Sequence, residues 1–307
     1  MHYIALHGDS DETMTKPRRG SFVPPWSLAI GAVCSIQLSS ALAVPLIGSI
    51  GAGGTAWLRT AAAALIVLAI ARPPLRSIRG HAPALVGLGV TTGLMSVSFL
   101  AALERIPLGT AVAIEFLGPL TVAAVRSRSR RALAWPGLAL VGVILLTEPW
   151  RGTIDLIGLG AAAVSGTCWG CYIVLTQHVG DRFSGITGLS ITLPVAAIAT
   201  SIIGIPQAVG HLTPLILLAG VGLGLLHPLL TFTLEMTALK RMTTAAFGTL
   251  MAVEPAIALL VGLVVLHQRP VVIQLVGIAL VVVAGTAAQR GGSRVGPAQP
   301  TRQVLAD

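Results

Sequence analysis

Five acidic or basic side chains stand inside long apolar runs of this chain: Arg59, Glu115, His227, Glu235 and Glu254. Glu148 stands at the edge of another run. A charge at mid-bilayer costs at least ~2.5–3.5 kcal/mol, so intramembrane ionisable residues mark a working site by default. A buried carboxylate can partner an ammonium group or hold a proton, and a guanidinium can supply donors to a carboxylate. At 1.5 Å per residue, Glu115 lies ~12 Å below the outer end of its run and Glu254 ~17 Å above the inner end of its own. Neither short side chain reaches water from there. Both are followed by proline, in "EFLGP" (Glu115, Gly118, Pro119) and "EP" (Glu254, Pro255). Proline removes a backbone donor and frees a carbonyl one turn earlier. Two such points predict bent helices around a lined, water-accessible cavity. The other ionisable groups have competing readings. Glu235 lies about one turn from an inner end, where it could reach water or pair with Lys240 or Arg241. Arg59 could snorkel outward from about one turn inside the outer face. His227, before Pro228, reads more simply as a satisfied polar residue, and Glu148 as interfacial.

The elements that hold these groups follow from composition. The 307 residues are 54% hydrophobic and only 10% charged, against roughly 25% charged in a soluble domain. Lipid is therefore the expected solvent. A bilayer core of about 30 Å needs ~20 residues of helix. Charges, prolines and glycines divide the chain into ten such runs, near 26–45, 54–71, 83–101, 107–125, 133–149, 156–176, 184–204, 213–237, 243–266 and 270–288. They do not alternate apolar with polar, as barrel strands do, so the fold class is an all-α integral membrane protein with ten transmembrane helices. Small-xxx-small pairs at Gly89/Gly93, Gly166/Gly170 and Gly220/Gly224 offer close helix packing.

Orientation comes from Lys and Arg. With ten spans both termini share a side. On it fall Lys16, Arg18, Arg19, Arg72, Arg76, Arg79, Arg126, Arg128, Arg130, Arg131, Arg182, Lys240, Arg241, Arg290, Arg294 and Arg302. Opposite stand Arg105, Arg151 and Arg269 alone. This asymmetry predicts a multi-pass protein of the plasma (inner) membrane with both termini cytoplasmic. Residues 1–25 and 289–307 read as disordered cytoplasmic tails, and the first lacks the apolar core of a cleavable signal.

The chain also echoes itself. Ala102-Leu103-x-Arg105 returns as Ala238-Leu239-x-Arg241, and Pro119 as Pro255, 136 residues on. Gly137-x-Ala139-Leu140-Val141 returns as Gly277-x-Ala279-Leu280-Val281. Five spans per half is an odd number, so the halves, 26–149 and 150–288, enter the membrane in opposite directions. Inverted repeats of this kind carry their substrate site near mid-membrane.

Other classes fit less well. The formal charge of +9 sits in short clusters between apolar runs, which argues for membrane orientation and against nucleic acid. Cys168-Trp-Gly-Cys171 has a CxxC form, but its neighbours are small and apolar and no His or Cys pair completes a metal site, so it reads as packing. No cofactor or metal is expected. An enzyme is not expected either, since no HExxH, paired Asp or Ser/His arrangement stands at telling spacing.

Three stretches carry a family likeness: "SIQLSSALAVPL" (35–46), "ALERIPLGTAVAIEFLGPLTVA" (102–123) and "LEMTALKRMTTAAFGTLMAVEPAIALL" (234–260). They resemble the EamA-type drug/metabolite transporter superfamily, and within it the threonine/homoserine exporter branch, over roughly residues 25–288. The resemblance implies a monomeric or weakly associated ten-helix carrier with two five-helix inverted repeats. It also implies export of small amino acids or related metabolites against proton entry. It places Glu115, Gly118 and Pro119 on the first-half motif, Glu235, Glu254 and Pro255 on the second-half motifs, and Arg59 on the arginine that opens the second span. Two positions depart from the branch pattern. Val44 stands where a lysine is usual, and His267-Gln268 where Gly-Glu is usual.

On this reading the partners are a small-molecule substrate, protons and membrane lipid. A zwitterionic amino acid needs an anionic partner for its ammonium and donors for its carboxylate, which Glu115 and Arg59 could supply, or they could neutralise each other when the site is empty. Glu115 or Glu254 could carry a proton inward while substrate leaves. Trp169 and Tyr172, at i and i+3 on the sixth span, could line the cavity or serve as packing. The alternatives are an exporter of other metabolites or toxic amphiphiles, and an uncoupled facilitator.

Overall fold

A computed structural model describes residues 23–71, 82–126, 130–148, 150, 155–179, 186–242 and 244–290. The expected tails up to residue 22 and from 291 onward lie outside the described residues, as do most of the arginines that set the expected orientation.

The described chain is all-helical. In order come α1 (Pro25–Ile70), α2 (Ala82–Leu103), α3 (Leu108–Glu115), α4 (Leu117–Arg126), a 3-10 turn (Arg130–Leu133), α5 (Ala134–Thr147), α6 (Leu156–Val179) and α7 (Ile186–Ala208). Then follow α8 (Pro214–Gly224), a π turn (Leu225–Leu230), α9 (Thr231–Leu239), α10 (Thr244–Met251), α11 (Glu254–Val265) and α12 (Val272–Arg290). Seven helical stretches among the described residues are long and apolar enough to cross a membrane: Pro25–Ile70, Ala82–Leu103, Leu108–Arg126, Leu156–Thr176, Ile186–Ala208, Pro214–Leu239 and Ala246–Val265. Two shorter apolar helices accompany them, Ala134–Thr147 and Val272–Ala288.

The first two expected runs are the two arms of α1, and the break between them falls within the predicted boundary at 46–53. Pro45 is absorbed within the first arm, and the break is at Gly51, with φ 72° and ψ 167°. That left-handed backbone suits glycine. The chain doubles back there. Ser39, before the break, donates to the carbonyl of Leu223 at 3.3 Å. Arg59, after it, lies against the next residue of α8, since a Cβ on Gly224 would sit 2.7 Å from the Arg59 carbonyl. In a straight helix those two residues would stand ~30 Å apart. α1 is thus two arms packed side by side on α8.

Helix interfaces are built from small residues, as close packing in lipid requires. The Gly89/Gly93 pair meets α7, Gly166 meets α3, and Gly220 and Gly224 meet the second arm of α1. α5 and α12 cross at Gly142 and Gly277, where a Cβ on either would come within 2.6 Å of the other's carbonyl. Many hydroxyls are hidden by bonding back to their own helix, among them Thr60 to Ala56, Thr92 to Leu88 and Ser98 to Leu94. The largest cluster of buried apolar residues runs from Ala41 through Leu100, Leu108, Val112 and Leu120 to Val281. It joins both ends of the sequence into one core around the broken helices.

Candidate functional site

Two helices are interrupted in the same way. α3 ends at Glu115 and α4 begins at Leu117; α10 ends at Met251 and α11 begins at Glu254. Pro119 stands four residues after Glu115, and Pro255 four residues after Met251. Lacking an N–H, each proline cannot bond the carbonyl of the residue that ends the first piece. The eighth expected run breaks a third time, at the π turn, where His227 is extended (φ −145°, ψ 119°) before Pro228. Carbonyls near that break are covered from α1: Ser35 donates to Leu226 at 2.7 Å and Ser39 to Leu223. Irregular backbone at this depth is tolerated where it is buried in protein or lines a cavity.

The three breaks surround one cavity of about 200 Å³. Its wall takes in Gln37, Ser40, Arg59 and Thr60 from α1, Met95, Ser96 and Phe99 from α2, and Glu115 from α3. Trp169 and Tyr172 come from α6, His227 from the π turn, Thr231, Phe232 and Glu235 from α9, and Glu254 from the start of α11. All six residues expected in the pathway, Arg59, Glu115, Trp169, Tyr172, Glu235 and Glu254, therefore meet at one place. Gly118, Pro119 and Pro255 are not among the lining residues, and Gly118 packs against the backbone of Gly166.

Arg59, Glu115 and Glu254 are each held by a neutral side chain. Arg59, 4% exposed, does not snorkel. Its Nε and Nη2 donate to Ser96 Oγ at 3.3 and 2.7 Å, and Nη1 has no hydrogen-bond partner. Glu115 is buried and accepts from Ser165 Oγ on α6. Glu254, 4% exposed, accepts from Gln37 Nε2 at 3.0 Å. It opens α11, a position where a carboxylate complements the helix dipole. Glu235 is half-buried and turned to the cavity, and it makes no ion pair with Lys240. The one ion pair among the described residues is Arg105–Asp155, at 3.3 Å, near the start of α6 and partly exposed. Arg59 and Glu115 thus share a cavity without forming an ion pair.

Trp169 is both lining and packing, with its ring edge-on to Phe116 at 6.0 Å and 64°. His227 lines the wall with Nδ1 3.4 Å from Thr231 Oγ1. Glu148 is buried and closes α5 with a left-handed φ of 42°. Cys168 is buried and Cys171 exposed on α6. Gln37, Ser96 and Ser165 were not singled out from sequence. The available signal was Gln37 standing among Ser35, Ser39 and Ser40 in an otherwise apolar run.

The two departures from the branch pattern lie outside this wall. Val44 is half-buried on α1. Gln268 lines a second cavity of about 150 Å³ with Pro107, Thr110, Arg269 and Gln274, and its Oε1 accepts from the N–H of Leu108, the first residue of α3.

Residues 156–287 match the EamA-like transporter family. Over 266 residues the chain is 35% identical to the threonine/homoserine exporter RhtA of Escherichia coli (strain K12), covering 85% of this chain and 89% of that one. The identity is also 35% to the protein of the same name from Salmonella typhimurium (strain LT2), over 82% and 87%. One crystal structure superposes with a TM-score of 0.59 at 20% identity, over 86% of this chain and 98% of the other, which shows a shared fold alone. With apolar helices fit to cross a bilayer and relatives that are exporters along most of its length, this chain is a multi-pass membrane protein that belongs to the EamA-like transporter family.

Proposed function

We propose that this transporter exports small amino acids of the threonine/homoserine kind, or related metabolites, in exchange for protons and by alternating access. The observation that carries this is the unpaired placement of Arg59 and Glu115 in one buried cavity. A zwitterion offers each what it lacks: its carboxylate accepts from the guanidinium, and its ammonium donates to the glutamate. Ser96 and Ser165 hold the two groups in place. The volume argues for a small substrate, since about 200 Å³ falls below the ~300 Å³ at which drug-sized pockets begin.

A ten-span body in two inverted halves is supported by the geometry. The seven long stretches, with α1 counted as two arms, and the two shorter helices make ten. The breaks after Glu115 and Met251 occupy corresponding places 136 residues apart. α5 and α12 meet in a reciprocal Gly142–Gly277 contact, as two elements related by a pseudo-two-fold axis would. α2 packs on α6 as α8 and α9 pack on α1, whose first arm bonds Leu223 through Ser39. Such halves rock about a central site in secondary transporters. The Lys and Arg asymmetry supports cytoplasmic termini in the plasma (inner) membrane. Glu115 and Glu254 are the proton carriers in this reading.

A second reading is favoured by the apolar part of the wall, where Ile36, Phe99, Leu189, Leu193 and Phe232 gather. These suit metabolites with larger apolar side chains.

Uptake into inverted vesicles tests the proposal. Labelled threonine, homoserine and larger apolar amino acids are compared with and without an imposed pH gradient. Saturable uptake of the small substrates, driven by the gradient and lost in Glu115→Gln, is expected. Preference for larger apolar substrates selects the second reading. Flux indifferent to the gradient overturns proton exchange, and unchanged uptake in a well-inserted Glu115→Gln removes the site.

A further inference from the structure

Gln37 stands on the first arm of α1 with none of its side chain exposed. Its Nε2 donates to Glu254 Oε1 at 3.0 Å, and this is the hydrogen bond that the Glu254 carboxyl makes among the described residues. The other end of the amide, Oε1, has no partner. Both residues belong to the cavity wall. Buried polar atoms are ordinarily hydrogen-bonded, and an orphan in a native site calls for an explanation. An acceptor waiting in a cavity wall is explained by a donor that comes with the ligand, and a zwitterion's ammonium is such a donor.

The amide has a property that a carboxylate or hydroxyl lacks. One end only donates and the other only accepts, on a single rigid plane. A half-turn about its last torsion therefore inverts what it shows to the cavity. The Glu254 carboxyl changes character too: ionised, it only accepts; protonated, it gains an O–H that must find an acceptor.

We propose that Gln37 is a positioning residue that makes substrate and proton exclude one another at Glu254. With Glu254 ionised, the amide gives its N–H to Glu254 and leaves Oε1 for the substrate's ammonium. When a proton binds Glu254, the new O–H takes Gln37 Oε1 as its acceptor. The amide turns over, and its NH2 then faces the place where the ammonium would sit. The substrate is disfavoured by two donors meeting. This rests on the exchange of zwitterion for proton proposed above. The ionisable groups that share the cavity with Glu254 are Glu115 on α3, Arg59 on the second arm of α1, Tyr172 on α6, His227 in the π turn and Glu235 on α9. They help set where Glu254 titrates, and Gln37 transmits that titration to the substrate.

The test uses the full chain in proteoliposomes, with labelled threonine counterflow at equal pH on both sides, over a pH series. Wild-type KM should rise up to about tenfold per unit of pH lowered once Glu254 takes up its proton, the limit for a ligand that excludes one proton. Glu254→Gln removes that component of the profile. Gln37→Met, unbranched and close in volume, should remove the same component, and the double variant should add nothing further. Gln37→Leu provides a second variant if the first does not yield monodisperse protein. A Gln37 variant whose KM is displaced in parallel, with the wild-type slope kept, overturns the proposal and leaves Gln37 a packing residue. Wild-type counterflow that is saturable yet indifferent to pH overturns it while sparing amino-acid export. No saturable counterflow of any small amino acid overturns the export reading and this inference with it.

Discussion

The guanidinium of Arg59 and the carboxylate of Glu115 share one buried cavity and form no ion pair: no nitrogen of the first lies within 4.0 Å of an oxygen of the second. A buried pair in contact would be its own partner. A separated pair leaves both groups available, each steadied by a serine.

Neutralising either group should therefore cost both transport and stability, with different signatures. A hydrogen bond to a charged group contributes about 1.5–3 kcal/mol, so Glu115→Gln and Arg59→Gln should each lower kcat/KM for threonine by about 10–100-fold. The two charges attract across one low-dielectric cavity, so each single change leaves the other without an opposite charge nearby. The double variant Arg59→Gln/Glu115→Gln should thus melt at a higher temperature than Arg59→Gln while transporting no better. Thermal melts in detergent beside vesicle uptake check this. A double variant less stable than both singles would show that the two charges do not compensate each other across the cavity.

Gly118 and Gly137 make a contrasting pair. A Cβ on Gly118 would run into the backbone carbonyl of Gly166, whose own Cα side packs against the backbone of Glu115. Backbone cannot rotate out of the way, and overpacking typically costs about 1–3 kcal/mol. Gly118→Ala should lower the melting temperature and the transport rate together. Around Gly137 a Cβ meets nothing within 4 Å, so Gly137→Ala should leave both unchanged or slightly raise stability through helix propensity. Equal melting temperatures for the two variants would contradict the α4–α6 contact.

Asp155 caps the start of α6. Its carboxyl is held below the usual aspartate range, chiefly by the N–H of Gly158, whose nitrogen lies 2.8 Å from Oδ1, with Arg105 adding to the effect. A depressed folded-state value means a contribution present above the unfolded value and lost as pH falls through the folded one. Asp155→Asn should therefore melt slightly below wild type at neutral pH. The gap should close in strong acid and narrow with salt, because the Arg105 partner is exposed. Transport at neutral pH should not change. Melts of both proteins across pH and salt decide it.

The parts of the site legible in the sequence were those that break a strong expectation. Glu115 and Glu254 are charges in apolar runs, and a proline follows each at a distance that removes one helical bond. Gln37, Ser96 and Ser165 break no such expectation. Uncharged polar side chains in these helices commonly bond back to their own turn, as Thr92 and Ser98 do, and local sequence does not say which will reach across to another helix. The break in α1 was legible as the gap between the first two apolar runs. Gly51, inside that gap, supplies the left-handed backbone that a reversal of direction needs, whereas Pro45 is carried within the helix. The π turn was visible only as His227-Pro228, because the serines that cover its loosened carbonyls stand almost two hundred residues earlier.

The polar wall is shared across the middle of the chain. Gln37, Arg59 and Glu115 precede Glu148, whereas Ser165, Tyr172, Glu235 and Glu254 follow Asp155, and the Gln37–Glu254 and Ser165–Glu115 bonds both cross that divide. During synthesis the leading portion must then sit in lipid with Gln37 and Glu115 unmatched until the trailing portion arrives, while Arg59 already has Ser96. Severed at that midpoint, the two polypeptides would each be poor lodgers in the bilayer alone, and co-expression would be needed for either to persist.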